Sequence, residues 1–109
     1  MALLLNEQLT SLEGFVSPSG SYIKFIPSFE EDRIGLYINY KVFTYVAKAN
    51  WINNNKPVRS TFINSGYSRV AVADEISGSI TAVETHILLR DRILVDNPTW
   101  TTSSLQIVP

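Results

Sequence analysis

The chain contains no cysteine and a single histidine, His86. Without cysteine there is no disulfide, no thiolate nucleophile, no iron–sulfur cluster and no thiolate zinc site. One histidine is too few for the usual zinc ligand sets. Charge is also scarce: 17% of residues are charged and the formal net charge is −1, against about 25% charged residues in an ordinary domain. No global field therefore draws the protein to nucleic acid or to anionic lipid. A charge so near zero also does little to hold copies apart, which suits a subunit of an assembly. Long apolar runs are missing too. Leu3-Leu4-Leu5 has no basic region before it and is too short for a leader peptide or a bilayer span, so the expectation is synthesis and folding in the cytoplasm.

Motifs that specify chemistry are equally scarce. The five glycines are scattered singly, so no phosphate-cradling loop is present. No Gly-x-Ser-x-Gly elbow accompanies His86, which sits in the apolar stretch Thr85-His86-Ile87 and reads as a structural or surface histidine. Glu30-Glu31-Asp32 and Asp74-Glu75 are solvated turn charges, because adjacent strand residues point to opposite faces and make poor catalytic pairs. No calcium loop occurs. The expectation is a protein that is not an enzyme and needs no cofactor or metal.

What is present favours strands. Nine Val, eleven Ile and eight Thr stand against only six Ala. β-Branched side chains fit a pleated surface and lose rotamer freedom in a helix. With 109 residues, the expectation is one domain over 1–109, an all-β antiparallel sandwich or barrel of six to eight strands. Residues 1–16 form either an N-terminal arm or a short helix, since Leu5, Leu9 and Leu12 recur at helical spacing while Leu3-Leu4-Leu5 is apolar throughout. Ser17 to Ser21 is a turn. Tyr22 to Ile26 is a strand that stops at Pro27 or lies at an edge.

The clearest pattern is the alternation of Ile34, Leu36, Ile38, Tyr40 and Val42 with polar or small neighbours, the period of a half-buried strand. The apolar parity then shifts to Phe43, Tyr45, Ala47, Ala49 and Trp51, which places a β-bulge near Val42–Thr44. Asn53 to Pro57 is a turn and Val58 to Ile63 a returning strand, giving a long hairpin over 34–64. Tyr67 to Ala73 is a further strand and 74–79 a loop. Ile80 to Val95 fits a helical stripe capped by Ser79 and also an alternating strand; its β-branched content favours strand. Thr99 to Val108 is a final strand.

Nineteen extended residues from Ile34 to Ile52 would span ~60 Å, whereas a domain of this size is roughly 30–35 Å across. Either the strand bends at the bulge and serves two sheets, or the hairpin tip projects. A projecting arm would carry Phe43, Tyr45, Ala47, Ala49 and Trp51 into solvent, and such patches mark interaction surfaces. Together with Leu3, Leu4 and Leu5 these are the candidate contact residues. The functional expectation is a structural assembly domain that binds itself as a homo-oligomer or binds other structural proteins, as in a small virion component of a phage tail, baseplate or neck. The competing class is a ligand-binding module. Tyr37, Tyr45, Trp51 and Tyr67 could stack bases, with Lys41, Lys48, Arg59 and Arg69 at phosphates, although ten acids offset the basic residues. Trp51 or Trp100 beside the Asn run could also bind carbohydrate.

Overall fold

A computed structural model describes residues 1–31, 33, 35–63, 70–71 and 81–109. It is mostly strand, in antiparallel sheets. The elements are β1 (Ala2–Leu5), β2 (Leu9–Thr10), β3 (Val16–Ser17), β4 (Ser21–Glu31), β5 (Leu36–Tyr45), α1 (Lys48–Ile52), β6 (Val70–Ala71), α2 (Ala82–Asp96) and β7 (Leu105–Val108), with a 3-10 turn at Thr102–Ser104. The main sheet has the order β6-β5-β4-β1-β7, and β2 pairs β3 separately.

The N-terminal segment is extended rather than helical. β1 is an interior strand between β4 and β7, and Leu3 and Leu5 are fully buried. Three leucines in a row suit this place because two point into the core and Leu4 points to the other face. β2 and β3 close over a tight turn at Ser11–Phe15. Phe15 N–H donates to Ser11 Oγ at 2.9 Å, and Gly14 sits at φ 95°, a conformation open to glycine.

Strand β4 does not stop at Pro27. It runs through to Glu31, paired residue for residue with β5 from Tyr22↔Tyr45 to Glu31↔Leu36. The Thr44 carbonyl accepts from Val58 N–H at 2.7 Å, so the backbone polar groups of Thr44 face away from β4. By alternation those of Val42 and Tyr40 do the same. Pro27 lies opposite Tyr40, and in such a pair both residues aim their polar groups away from each other. The nitrogen without a hydrogen therefore faces the outer edge of β4. β1 pairs β4 only at Ile23, Tyr22 and Ser21. Pro27 thus costs no ladder bond and blunts an open edge.

The expected bulge near Val42–Thr44 is also absent, since the β4–β5 register is unbroken. Even-numbered Ile38, Tyr40, Val42 and Thr44 are all buried. The apolar parity shifts because the strand ends at Tyr45 and the chain turns into α1. There the Asn50 side chain accepts from Ala47 N–H at 3.1 Å, and Asn54 ends the turn at φ 56°. The hairpin over 34–64 is therefore replaced by a hairpin of β4 with β5. Val58 to Ile63 is not a strand but makes single bridges, Thr44↔Val58 and Ser11↔Ser60. Strand Tyr67–Ala73 falls partly, and loop 74–79 wholly, outside the described residues.

Ile80 to Val95 resolves to helix, not strand, over the described part from Ala82. Thr81 caps it: Glu84 N–H donates to Thr81 Oγ1 at 3.2 Å, and the Thr81 hydroxyl donates to Glu84 Oε1 at 3.0 Å. Thr85, His86, Leu89 and Ile93 form its buried stripe. At the far end Asn97 Nδ2 donates to Ile93 O at 2.9 Å and to Phe62 O at 2.6 Å, which ties the helix end to the 60–63 segment. This helix covers one face of the main sheet. The core it closes contains Leu3, Leu5, Leu9, Ile23, Ile38, Tyr40, Val42, Ile63, Leu89, Ile93 and Leu105.

Candidate interaction surfaces

Residues directly opposite in an antiparallel pair share a face. Ile23, Phe25, Pro27 and Phe29 thus share the α2 side with Thr44, Val42, Tyr40 and Ile38. The opposite face carries Leu4, Tyr22, Lys24, Ile26, Tyr37, Asn39, Lys41, Phe43 and Tyr45. At one end α1 lies on this second face, where Trp51 packs on the buried Tyr22 with ring centroids 5.6 Å apart. Lys24 Nζ sits 4.4 Å from the Trp51 ring centroid, in cation–π range, and also donates to Met1 O at 3.1 Å. The rest of the face is uncovered by any described residue.

Of the eight contact residues expected from sequence, Leu4, Phe43 and Tyr45 lie half-buried on this open face and Trp51 lies exposed over it. Ala47 is half-buried at the start of α1, and Ala49 is exposed on it. Leu3 and Leu5 lie elsewhere: both are 0% exposed, so their side chains serve this chain's own core and present nothing to a partner.

Sequence reasoning passed over several well-exposed apolar side chains. Ile26 is 60% exposed and Phe29 52%, both on the half of β4 beyond its pairing with β1. Leu12, Phe15 and Val16 are 60%, 57% and 57% exposed around the β2–β3 turn, and Ile52 of α1 is 60% exposed. Between that turn and α1 runs a groove of about 480 Å³ lined by Glu13, Phe15, Val46, Asn50, Asn55, Lys56, Pro57 and Val58. Arg59 crosses to Glu13, with its backbone N–H 3.1 Å from Oε2 and its Nε 3.1 Å from Oε1. These bonds hold the Glu13 carboxyl below its ordinary range.

A charge pattern was available to find this region. From Arg33 to Ala73 the sequence has six cations and no acid; the acids all lie in 1–32 and 74–109. The counts cancel over the chain, and a net charge conceals the separation. Lys41 and Lys48 on the open face and Lys56 at the groove all belong to this stretch and are exposed.

His86 sits in the core layer. Its Nδ1 is 2.6 Å from Ala82 O and its ring is 4.2 Å from that of Phe25. Burial pushes its pKa below the ordinary value, partly offset by hydrogen bonds to the Ala82 and Met1 backbones. Tyr40 donates to Thr85 O at 3.0 Å, and burial raises its hydroxyl to about 12. Ser21 Oγ and Thr44 Oγ1 are buried with no hydrogen-bond partner among the described residues. Among the described residues no group of three potential ligands is placed to hold a metal, and no helix is long and apolar enough to cross a membrane.

No family model matches this chain, and neither a curated protein nor a solved structure matches it.

Proposed function

We propose that the protein is a non-enzymatic structural subunit that works through protein–protein contacts, with further copies of itself or with other structural proteins as partners. The observation that carries this reading is the placement of large apolar side chains, more than half exposed, on hairpins held by backbone pairing. Leu12, Phe15 and Val16 stand together at the β2–β3 turn, and Ile26 and Phe29 stand on opposite faces of the β4–β5 ladder. Single exposed apolar residues are ordinary; clusters of them mark contact sites. A small virion component of a phage tail, baseplate or neck is the setting that fits a weakly charged chain with no catalytic constellation. Light scattering coupled to size exclusion, from micromolar to about 1 mM, tests the self-association form. A mass that rises with concentration, or a fixed oligomer, supports it. A strict monomer throughout overturns it.

One observation favours a second reading. Five of the eight residues proposed for single-stranded nucleic acid, Tyr37, Tyr45, Trp51, Lys41 and Lys48, lie on or over the open face, spread along the length of β5. Aromatic planes with lysines between them suit stacked bases and phosphates. Quenching of tryptophan emission by oligothymidylate, weakened by salt, supports this reading. Unchanged emission at low salt rejects it.

A further inference from the structure

Two pairs of side chains from different elements meet at the base of the open face. Tyr22 and Lys24 are two apart on β4, so they share that face. Lys48 and Trp51 are three apart on α1, so they share one side of its turn. Where α1 lies on the sheet, Trp51 packs on Tyr22 with ring centroids 5.6 Å apart. Lys24 Nζ sits 4.4 Å from the Trp51 centroid and 6.0 Å from that of Tyr22. Lys48 Nζ sits 5.9 Å from the same Tyr22 centroid. A single lysine stem lying on an aromatic ring needs no ligand. Two ammonium groups converging on one ring pair differ, because like charges repel and no described carboxylate offsets them. Each described carboxylate is engaged elsewhere: Glu7, Glu13 and Glu30 with Ser104, Arg59 and Asn39, and Glu84, Asp91 and Asp96 along α2. Trp51 itself stays 36% exposed.

We propose that Trp51, Tyr22, Lys24 and Lys48 form the anchoring site for one nucleotide of a single strand, with its base on the Trp51 indole and its flanking phosphates at the two lysines. This rests on the single-strand reading above and gives the strand its fixed point. The ligand's chemistry follows from what the site combines. An exposed aromatic plane suits a flat base, and ammonium groups without a carboxylate suit phosphates. Tyr45 lies opposite Tyr22 and Phe43 opposite Lys24 on the same face, so the strand continues from the anchor along β5 toward Lys41. An acidic peptide is the less favoured occupant, since it brings the charge without the flat rings.

The test reads the fluorescence anisotropy of a labelled oligothymidylate against the whole protein at several salt concentrations. Lys24→Gln and Lys48→Gln are each expected to weaken binding and to lower the slope of log affinity against log salt by about 0.7, the share of one phosphate on a single strand. Trp51→Ala is expected to weaken binding by roughly fivefold or more. Arg92→Gln, on α2 behind the sheet, should leave affinity and slope unchanged. Circular dichroism confirms folding; should Lys24→Gln fail to fold, Lys48→Gln at an exposed position decides alone. If the wild type binds and neither lysine variant changes the slope, the anchor is overturned while the single-strand reading stands. If polyglutamate displaces the label as well as unlabelled oligothymidylate does, the occupant is an acidic peptide and the nucleotide assignment is overturned. If the wild type binds no oligothymidylate at low salt, the anchor and the single-strand reading fall together.

Discussion

The two faces of the main sheet are built from the same strands, yet they have opposite fates. Toward α2, Leu3, Ile23 and Ile38 meet Leu89 and Ile93, and all five are 0% exposed. On the other face Ile26, on the same strand as Ile23, is 60% exposed. Strand propensity is equal on the two sides, so the difference comes from what packs there. The α2 side is covered by a fifteen-residue helix as far as Phe25 and Ile38, though not at Phe29; among the described residues the open side has only the short α1 at one end.

The largest test of this contrast is truncation on each side. Leu89→Ala is expected to cost about 2–5 kcal/mol in chemical unfolding, whereas Ile26→Ala should stay within about 0.5 kcal/mol. Equal costs would mean that the second face is covered in solution. Next is the tyrosine pair on β5. Tyr40→Phe removes a buried hydrogen bond to Thr85 O and should lose about 1 kcal/mol, while Tyr45→Phe should be close to neutral in the same measurement. Smaller still is Thr44→Val, which replaces a buried hydroxyl without a partner by a methyl of similar shape. Its expected effect is zero to about 1 kcal/mol of stabilisation, and a clear loss would show that the hydroxyl is bonded.

The smallest effect is pH-dependent. His86 is depressed in the folded state, so well above its ordinary value both states are neutral and the residue adds no pH slope. As pH falls below that value the unfolded chain takes up a proton first, and stability declines until the folded-state pKa is passed. Besides the Phe25 ring, the cations Lys24 and the N-terminal amine face it and add to the depression. His86→Phe should remove that part of the slope between pH 7 and 5 in thermal unfolding, and an unchanged profile would assign the slope elsewhere.

Much of the fold was readable because alternation is a local property. The period-two pattern read over Ile34 to Val42 identified β5 and its buried face at Ile38, Tyr40 and Val42, with Ile34 outside the described residues, and the Asn53-Asn54-Asn55 turn falls where expected. Two misreadings came from signals with more than one physical cause. The parity shift after Val42 looked like a bulge but marks the end of a strand. The β-branched residues of 80–95 outweighed Thr81-x-x-Glu84, a capping box present in the sequence. Pro27 was read as a stop or an edge position, and the edge reading fits, because the side of the strand its nitrogen faces is set only by pairing. Of the residues expected at a contact, Phe43 and Tyr45 share the open face by parity and Trp51 lies over it through α1, while Ile26, Phe29 and Phe15 owe their exposure to where neighbouring strands end.

The sequence by itself determined the strand-rich character, the lack of any thiol chemistry and the inward parity of β5, since composition and local periodicity do not depend on partners. Tertiary structure alone decided that Leu3 and Leu5 belong to the core, that α2 covers one face, and that Lys56 shares a groove with Glu13 and Phe15. Those outcomes follow from long-range pairing, in which strands distant along the chain either bury a side chain or leave it in water.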